Sequence, residues 1–243
     1  MRILAIDAGN TRIKWGLWDD EWAILDAVPT THVESLAEVW HTLPTLDVVI
    51  ACSVAGTHVR KWLEQLWRDR GYTLRWLTSQ SEQCGVRNSY RDPHTLGADR
   101  WAAIVAARHQ VHGSALVVNA GTAVTINALS SSGEFLGGLI LPGLDLMAAA
   151  LASGTAGLPR APGAFSVFPD NTADAIAAGA IQAVCGAVER VALAMAQIDT
   201  APQLLLSGGG ASTLQPHLAQ PALVVPHLVL EGLRVVALDA HGA

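Results

Sequence analysis

Apolar residues run almost unbroken from Arg2 to Ile6, meet Asp7-Ala8-Gly9, and resume as a weak alternation from Ile13 to Trp18. That pattern predicts a strand, a glycine turn and a second strand, a hairpin rather than a strand-to-helix unit. Val33 to Thr42 is amphipathic, and Leu46 to Val54 is a continuous apolar run of buried-strand length. From His58 to Gly71 the residues Val59, Trp62, Leu63, Leu66 and Trp67 fall on one helical stripe that stops at a glycine. A further helix is predicted from Asp99 to Gly113. Ser114 to Leu129 then repeats strand, glycine turn and strand, and Phe135 to Ile140 supplies a third strand. Pro142 to Gly154 reads as a helix opened by proline and closed by glycine. Gly154 to Phe165 is the best loop candidate. Asp170 to Gln197 reads as a long alanine-rich helix with Asn171 or Thr172 as its N-cap, apolar on more than one face and so buried or packed against another subunit. Gln203 to Ser207 is a strand running into glycines, and Leu228 to Ala240 a closing helix. Strands alternating with helices imply an α/β architecture.

The two hairpins look like one device written twice: "AIDAGNTRIKWG" from Ala5 and "VVNAGTAVTINA" from Val117. In a chain of 243 residues the repeat favours two domains, divided as residues 1–113 and 114–243. With 51% hydrophobic and 15% charged residues, the chain can bury a sizeable core. A formal net charge of −6 with scattered Lys and Arg argues against nucleic acid as a partner. Cys52, Cys84 and Cys185 are too far apart for a disulfide framework or a zinc site. The opening residues lack the character of a signal peptide and no apolar run reaches membrane-spanning length, so a soluble, cytoplasmic protein is expected.

In the first copy a carboxylate, Asp7, ends a strand, and Gly9 and Asn10 tolerate the conformations that turn backbone N–H groups toward a phosphate. Thr11 and Lys14 add a hydroxyl and a cation. "SGGGA" (Ser207 to Ala211) stands where a third glycine turn would serve a nucleotide site. In "YRDPHTLGADRWAA" (Tyr90 to Ala103), Asp99 and Arg100 open a helix. Asp99 can accept a proton from a substrate hydroxyl, while Arg100 can pair with a carboxylate through its planar fork. His109 and His112 share a helical face without a ligand pattern and read as helix-end residues. Trp15, Trp18 and Trp22 cluster near the first hairpin and read as packing.

The chain resembles the type III pantothenate kinases, a family that includes Bvg accessory factor-like proteins. "DAGNTRIK", "LGADR", "NAGTAVT", "GGLILPG", "NTADAIAAGA" and "SGGGA" carry the resemblance, in the family's order and over nearly the whole length. It implies duplicated ribonuclease H-like domains of the acetate and sugar kinase, Hsp70 and actin superfamily, and ATP-dependent phosphorylation of pantothenate, the first step toward coenzyme A. By the same resemblance, Asp7, Ala8, Gly9, Asn10, Thr11, Arg12, Ile13 and Lys14 bind the ATP phosphates, with Asp7 serving Mg²⁺ through ATP, and Thr122 touches ATP. Asp99 is the proton acceptor. Tyr90, Gly97, Ala98, Asp99 and Arg100 hold pantothenate, and Thr172 reaches it across a homodimer interface. The family usually has an aspartate bound to K⁺ or NH₄⁺ where this chain has Asn119, so a weakened monovalent-cation site is expected. Two alternatives stand beside the pantothenate kinase: a non-catalytic regulator on the same scaffold, and a kinase acting on another hydroxylated acid.

Overall fold

The computed structural model describes every residue except Ala156, Pro159, Arg160 and Ala243. The expected loop Gly154 to Phe165 falls on three of these and to that extent lies outside the described residues. Two compact units emerge, Met1–Gln110 with His227–Ala243, and Val111–Pro226.

In the first unit β1 (Arg2–Ala8), β2 (Arg12–Asp19) and β3 (Glu21–Pro29) form an antiparallel meander. After α1 (Leu36–His41), β4 (Val48–Ser53) returns parallel to β1. After α2 (Thr57–Asp69), β5 (Leu74–Trp76) lies parallel to β4, giving the order β3-β2-β1-β4-β5. A short hairpin, β6 (Glu82–Gln83) and β7 (Val86–Asn88), leads to α3 (Ala98–Gln110). The second unit repeats the scheme. Its meander is β8 (Ala115–Ala120), β9 (Ala123–Leu129) and β10 (Glu134–Pro142), followed by α4 (Leu144–Gly154) and α5 (Thr172–Ile198). Then β11 (Gln203–Ser207) runs parallel to β8 and, after α6 (Ala211–Leu214), β12 (Ala222–Val224) runs parallel to β11. Its strand order, β12-β11-β8-β9-β10, is the first unit's order read from the other edge. The chain closes with α7 (Leu228–Gly242), which belongs to the first unit, unlike the linear division at residue 113.

The apolar runs at β1 and β4 are covered on both faces, which is why neither alternates. On α2 the predicted stripe is the packed face: Val59, Leu63 and Trp67 are buried and Trp62 and Leu66 lie beside them. Two expectations need correction. The helix predicted to Gly113 ends at Gln110, so His112 leaves it. Pro142 ends β10 instead of opening a helix, because Gly143 donates its N–H to the Thr122 carbonyl at 2.8 Å and only then caps α4. The tryptophan trio packs as expected, in two separate groups. Trp15 packs edge-on against Trp40 at 5.8 Å and Trp40 lies 5.3 Å from Trp67, whereas Trp18 and Trp22 pair separately at 5.4 Å. Positions three apart on one strand face opposite sides of the sheet. Strand β3 has no clear period in the sequence because it is an edge strand with most of its residues exposed. Helix α5 is long and apolar enough to cross a membrane, yet Ile181, Val184, Cys185 and Val188 are buried in the second unit's core.

The closing helix is held by side chains and by a close backbone approach. Glu231 accepts from the Trp22 indole N–H and pairs with Arg234 at 2.9 Å, and the Arg234 guanidinium lies 4.4 Å from the Trp18 ring centre. One glycine sets the distance between α7 and α3: a Cβ on Gly232 would stand 1.9 Å from the Ala102 carbonyl oxygen. Gly232→Ala therefore sets a helix-propensity gain of about 1 kcal/mol against a backbone collision that only moving the helices apart can relieve. A net loss of about 1–3 kcal/mol is expected, seen as a lower urea midpoint at unchanged slope.

Candidate active site

The first glycine hairpin puts a charged group where little water reaches. Asp7, 7% exposed near the end of β1, is in register with Lys14 on β2 and Cys52 on β4. Lys14 Nζ lies 3.9 Å from Asp7 Oδ2, and the Cys52 thiol donates to Oδ1 at 3.6 Å. Burial pushes the Asp7 carboxyl up to about 6, the Lys14 ammonium opposes that, the Asp99 carboxylate adds to it, and the thiol hydrogen bond again opposes it. Cys52 is raised well above its ordinary value by its own burial and then by Asp7 and Asp99. Asp99 thus acts on both groups. The turn itself is firm: Gly9 donates its N–H to the Arg12 carbonyl at 3.1 Å, and Thr30 donates its hydroxyl to the Gly9 carbonyl at 2.8 Å and its N–H to the Thr11 carbonyl at 3.0 Å. Ala8 and Ile13 are buried supports, while Asn10, Thr11 and Arg12 face outward.

The second group is built by the turn before α3. Asn88 holds it, accepting from the Tyr90 N–H at 3.1 Å and donating to Ser79 Oγ at 2.9 Å and to the Pro93 carbonyl at 3.3 Å. Tyr90 accepts from Arg100 Nη1 at 3.0 Å, with the guanidinium 5.9 Å from the tyrosine ring centre. Arg100 is only 6% exposed. Gly97 accepts from the Trp101 N–H at 2.9 Å, so Ala98 and Asp99 occupy the first turn of α3, where a carboxylate suits the helix dipole. Asn88 was absent from the sequence expectations; an Asn two residues before Tyr90 in a Pro-containing stretch is the turn chemistry that signals it.

In the second unit the same register carries no charge. Asn119 pairs with Thr125 on β9 and Ser207 on β11, the counterparts of Asp7, Lys14 and Cys52. Thr125 and Ser207 are buried. The turn repeats, with Gly121 donating to the Ala123 carbonyl at 3.0 Å, and Thr122 is exposed at its tip. The third glycine turn rests on it: Gly210 donates to the Ala120 carbonyl at 3.0 Å. Gly208 has φ +93°, and a Cβ there would meet the Ala120 carbonyl oxygen at 2.3 Å and Asn119 Oδ1 at 2.8 Å. Asn171, not Thr172, caps α5, and Thr172 is its exposed first residue. Asp7 to Lys14, Tyr90 and Gly97 to Arg100 lie in the first unit, and Asn119, Thr122 and Thr172 in the second.

Among the described residues no three His, Cys, Asp or Glu side chains form a metal cage. A single desolvated carboxylate with a raised pKa beside an outward-facing glycine turn does suit a divalent cation that brings phosphate oxygens as its other ligands.

The family model for type III pantothenate kinase matches residues 3–194. A type III pantothenate kinase from Aromatoleum aromaticum is 46% identical over 242 residues, covering 99% of this chain and 100% of the relative. Among solved structures, a Baf family protein from Campylobacter jejuni superposes with a TM-score of 0.65 at 20% identity, covering 99% of this chain and 100% of its own. MreB 5 of Spiroplasma citri superposes with a TM-score of 0.51 at 8% identity over 99% of this chain and 97% of its own. The neighbours place the fold among actin, Hsp70 and sugar kinases.

The raised carboxyl has a direct consequence for stability. With a folded pKa of about 6 against 3.8 for the free group, ionised Asp7 opposes folding above pH 6. That opposition is relieved as pH falls through 6 toward 4, because the folded state takes up the proton first. At about 1.4 kcal/mol per pK unit, Asp7→Asn is expected to stabilise the ligand-free protein by about 2–3 kcal/mol near pH 8. Urea unfolding at several pH values checks this, and the gain should vanish near pH 4.

Proposed function

Because the chain belongs to the type III pantothenate kinase family, we propose that it transfers the γ-phosphate of ATP to the primary hydroxyl of pantothenate through the residues of these two clusters. The product is 4′-phosphopantothenate, the first intermediate on the route to coenzyme A. The observation that carries the assignment of roles is that the Asp99 carboxylate is near enough to buried Asp7 to oppose its ionisation inside the first unit, next in sequence to a buried Arg100 that donates to Tyr90.

In this assignment the backbone from Asp7 to Lys14 holds the ATP phosphates, Lys14 offsets their charge, and Thr122 touches ATP. Mg²⁺, held at Asp7 by way of ATP, neutralises phosphate charge when bound. Arg100, hydrogen-bonded to the Tyr90 hydroxyl, receives the carboxylate of pantothenate, and Gly97 and Ala98 line the approach. Asp99 takes the proton of the attacking hydroxyl. It stands in the first turn of α3, and a positioned carboxylate of this kind can serve as a general base. Positioning and charge neutralisation supply most of the acceleration in phosphoryl transfer.

The second unit also displays Leu146, Leu151, Leu193 and Ile198 on α4 and α5, each at least 41% exposed, which supports a homodimer through that face with Thr172 reaching the partner's pantothenate. A soluble metabolic enzyme of this kind works in the cytoplasm. At the monovalent-cation site, a neutral Asn119 opposite a neutral Thr125 leaves only dipoles to hold K⁺ or NH₄⁺. A unit charge about 4 Å away contributes roughly 4 kcal/mol at an effective dielectric of 20, before desolvation offsets part of it.

Purified protein with ATP, Mg²⁺ and pantothenate should release ADP and 4′-phosphopantothenate; no product across a panel of monovalent salts would overturn the assignment. Asp99→Asn should lower kcat by about 10²–10⁴-fold while the protein stays folded by circular dichroism. Asn119→Asp should steepen the activation by K⁺ relative to the parent, and identical curves for both would remove this position from the cation site.

A further inference from the structure

The segment from Ala164 to Asn171 leads into α5 and carries Val167 at 63% and Phe168 at 90% exposure. One carboxylate ties its two ends together. Asp174 Oδ1 accepts from the Ala164 backbone N–H at 2.6 Å, and Oδ2 accepts from the Asn171 side-chain amide at 2.7 Å. Asn171 in turn accepts from the Asp174 N–H at 3.0 Å, so the two residues hold each other across the first turn of the helix. The same Asn171 amide reaches Asp170 Oδ1 at 3.2 Å. The Ala164 N–H, and then the Asn171 amide, hold the Asp174 carboxyl below its ordinary value. Beside the tie, the Phe165 ring lies on the His217 imidazole with centroids 3.8 Å apart.

Capping the helix requires only the Asn171 oxygen. The bond to Ala164 spans ten residues and satisfies no helical group, so its effect falls on the segment. Thr172 follows directly at the end of that segment.

We infer that Asp174 is a positioning residue for pantothenate binding: it fixes the segment from Ala164 to Thr172 so that Thr172 and the Val167–Phe168 tip meet a second copy of the chain already ordered. This rests on the proposed contact of Thr172 with the partner's pantothenate. Without the tie, the segment's backbone must be ordered at each binding event, and that entropy is charged to substrate affinity. Asp99 and the ATP hairpin lie outside the tie, so the chemical step is unaffected.

Steady-state kinetics and amide hydrogen exchange on the intact protein test this with Asp174→Ala, Asp174→Asn and Thr172→Ala. Asp174→Ala should raise KM for pantothenate about tenfold, with kcat and KM for ATP within about twofold of the parent, and should speed exchange at the Ala164 amide. Asp174→Asn keeps one acceptor for that amide but turns an N–H toward the Asn171 amide. It should give an intermediate KM, and it carries the test if Asp174→Ala does not fold. If Thr172→Ala raises KM for pantothenate while a folded Asp174→Ala does not, the positioning role is overturned and the Thr172 contact stands. If Thr172→Ala leaves that KM unchanged, the contact fails, and the inference with it.

Discussion

Asp7 stands near the end of the central strand of the first unit with its carboxylate nearly buried, an ammonium 3.9 Å away and a thiol at 3.6 Å. Neither satisfies an ionised carboxylate as water would, and its pKa near 6 records the deficit. The site is built on that deficit. In the proposed function, a cation arriving with ATP would supply the missing positive charge, so that ligand binding would recover free energy that folding left unrecovered. The surrounding backbone is tied on several sides: β1 is flanked by β2 and β4, the turn is bonded to Thr30, and α7 braces the meander through Trp22 and Glu231. A carboxylate in this position would relax by moving toward solvent if the hairpin were loose.

Set beside that arrangement, the second hairpin is informative. Register for register, Asp7, Lys14 and Cys52 become Asn119, Thr125 and Ser207. Anion and cation are lost together, so the second unit carries no unmatched charge at the corresponding place. What stays is shape: the turn geometry, the clamp from Gly208 and Gly210, and an exposed Thr122. The duplication has kept the backbone device in both units and the electrostatics in one.

Much of this was legible in the sequence, for identifiable reasons. Strands buried on both faces announce themselves as unbroken apolar runs, and β1, β4 and β8 did. The α2 stripe was legible because one face is packed and the other wet. Edge strand β3 and the short strands β5 to β7 and β12 were not, since few of their residues alternate between core and solvent. In the site, Asp7, Asp99 and Arg100 stood out as charges placed at element ends. Asn88 did not, because its work consists of three side-chain hydrogen bonds, two of them to Ser79 and Pro93, which only folding brings near. The link between Ala164 and Asp174 has no sequence signature for the same reason.

The place of α7 has a consequence for how the chain is made. The unit that begins at the N-terminus is finished by a helix that follows the whole of the second unit. During synthesis the sheet from β1 to β5 and the α3 helix emerge early, yet the α3 surface around Ala102 stays uncovered until Gly232 arrives. The second unit is continuous and can close on itself meanwhile. Order of birth and order of completion are thus reversed, and the N-terminal half waits, with apolar surface exposed, for the last helix.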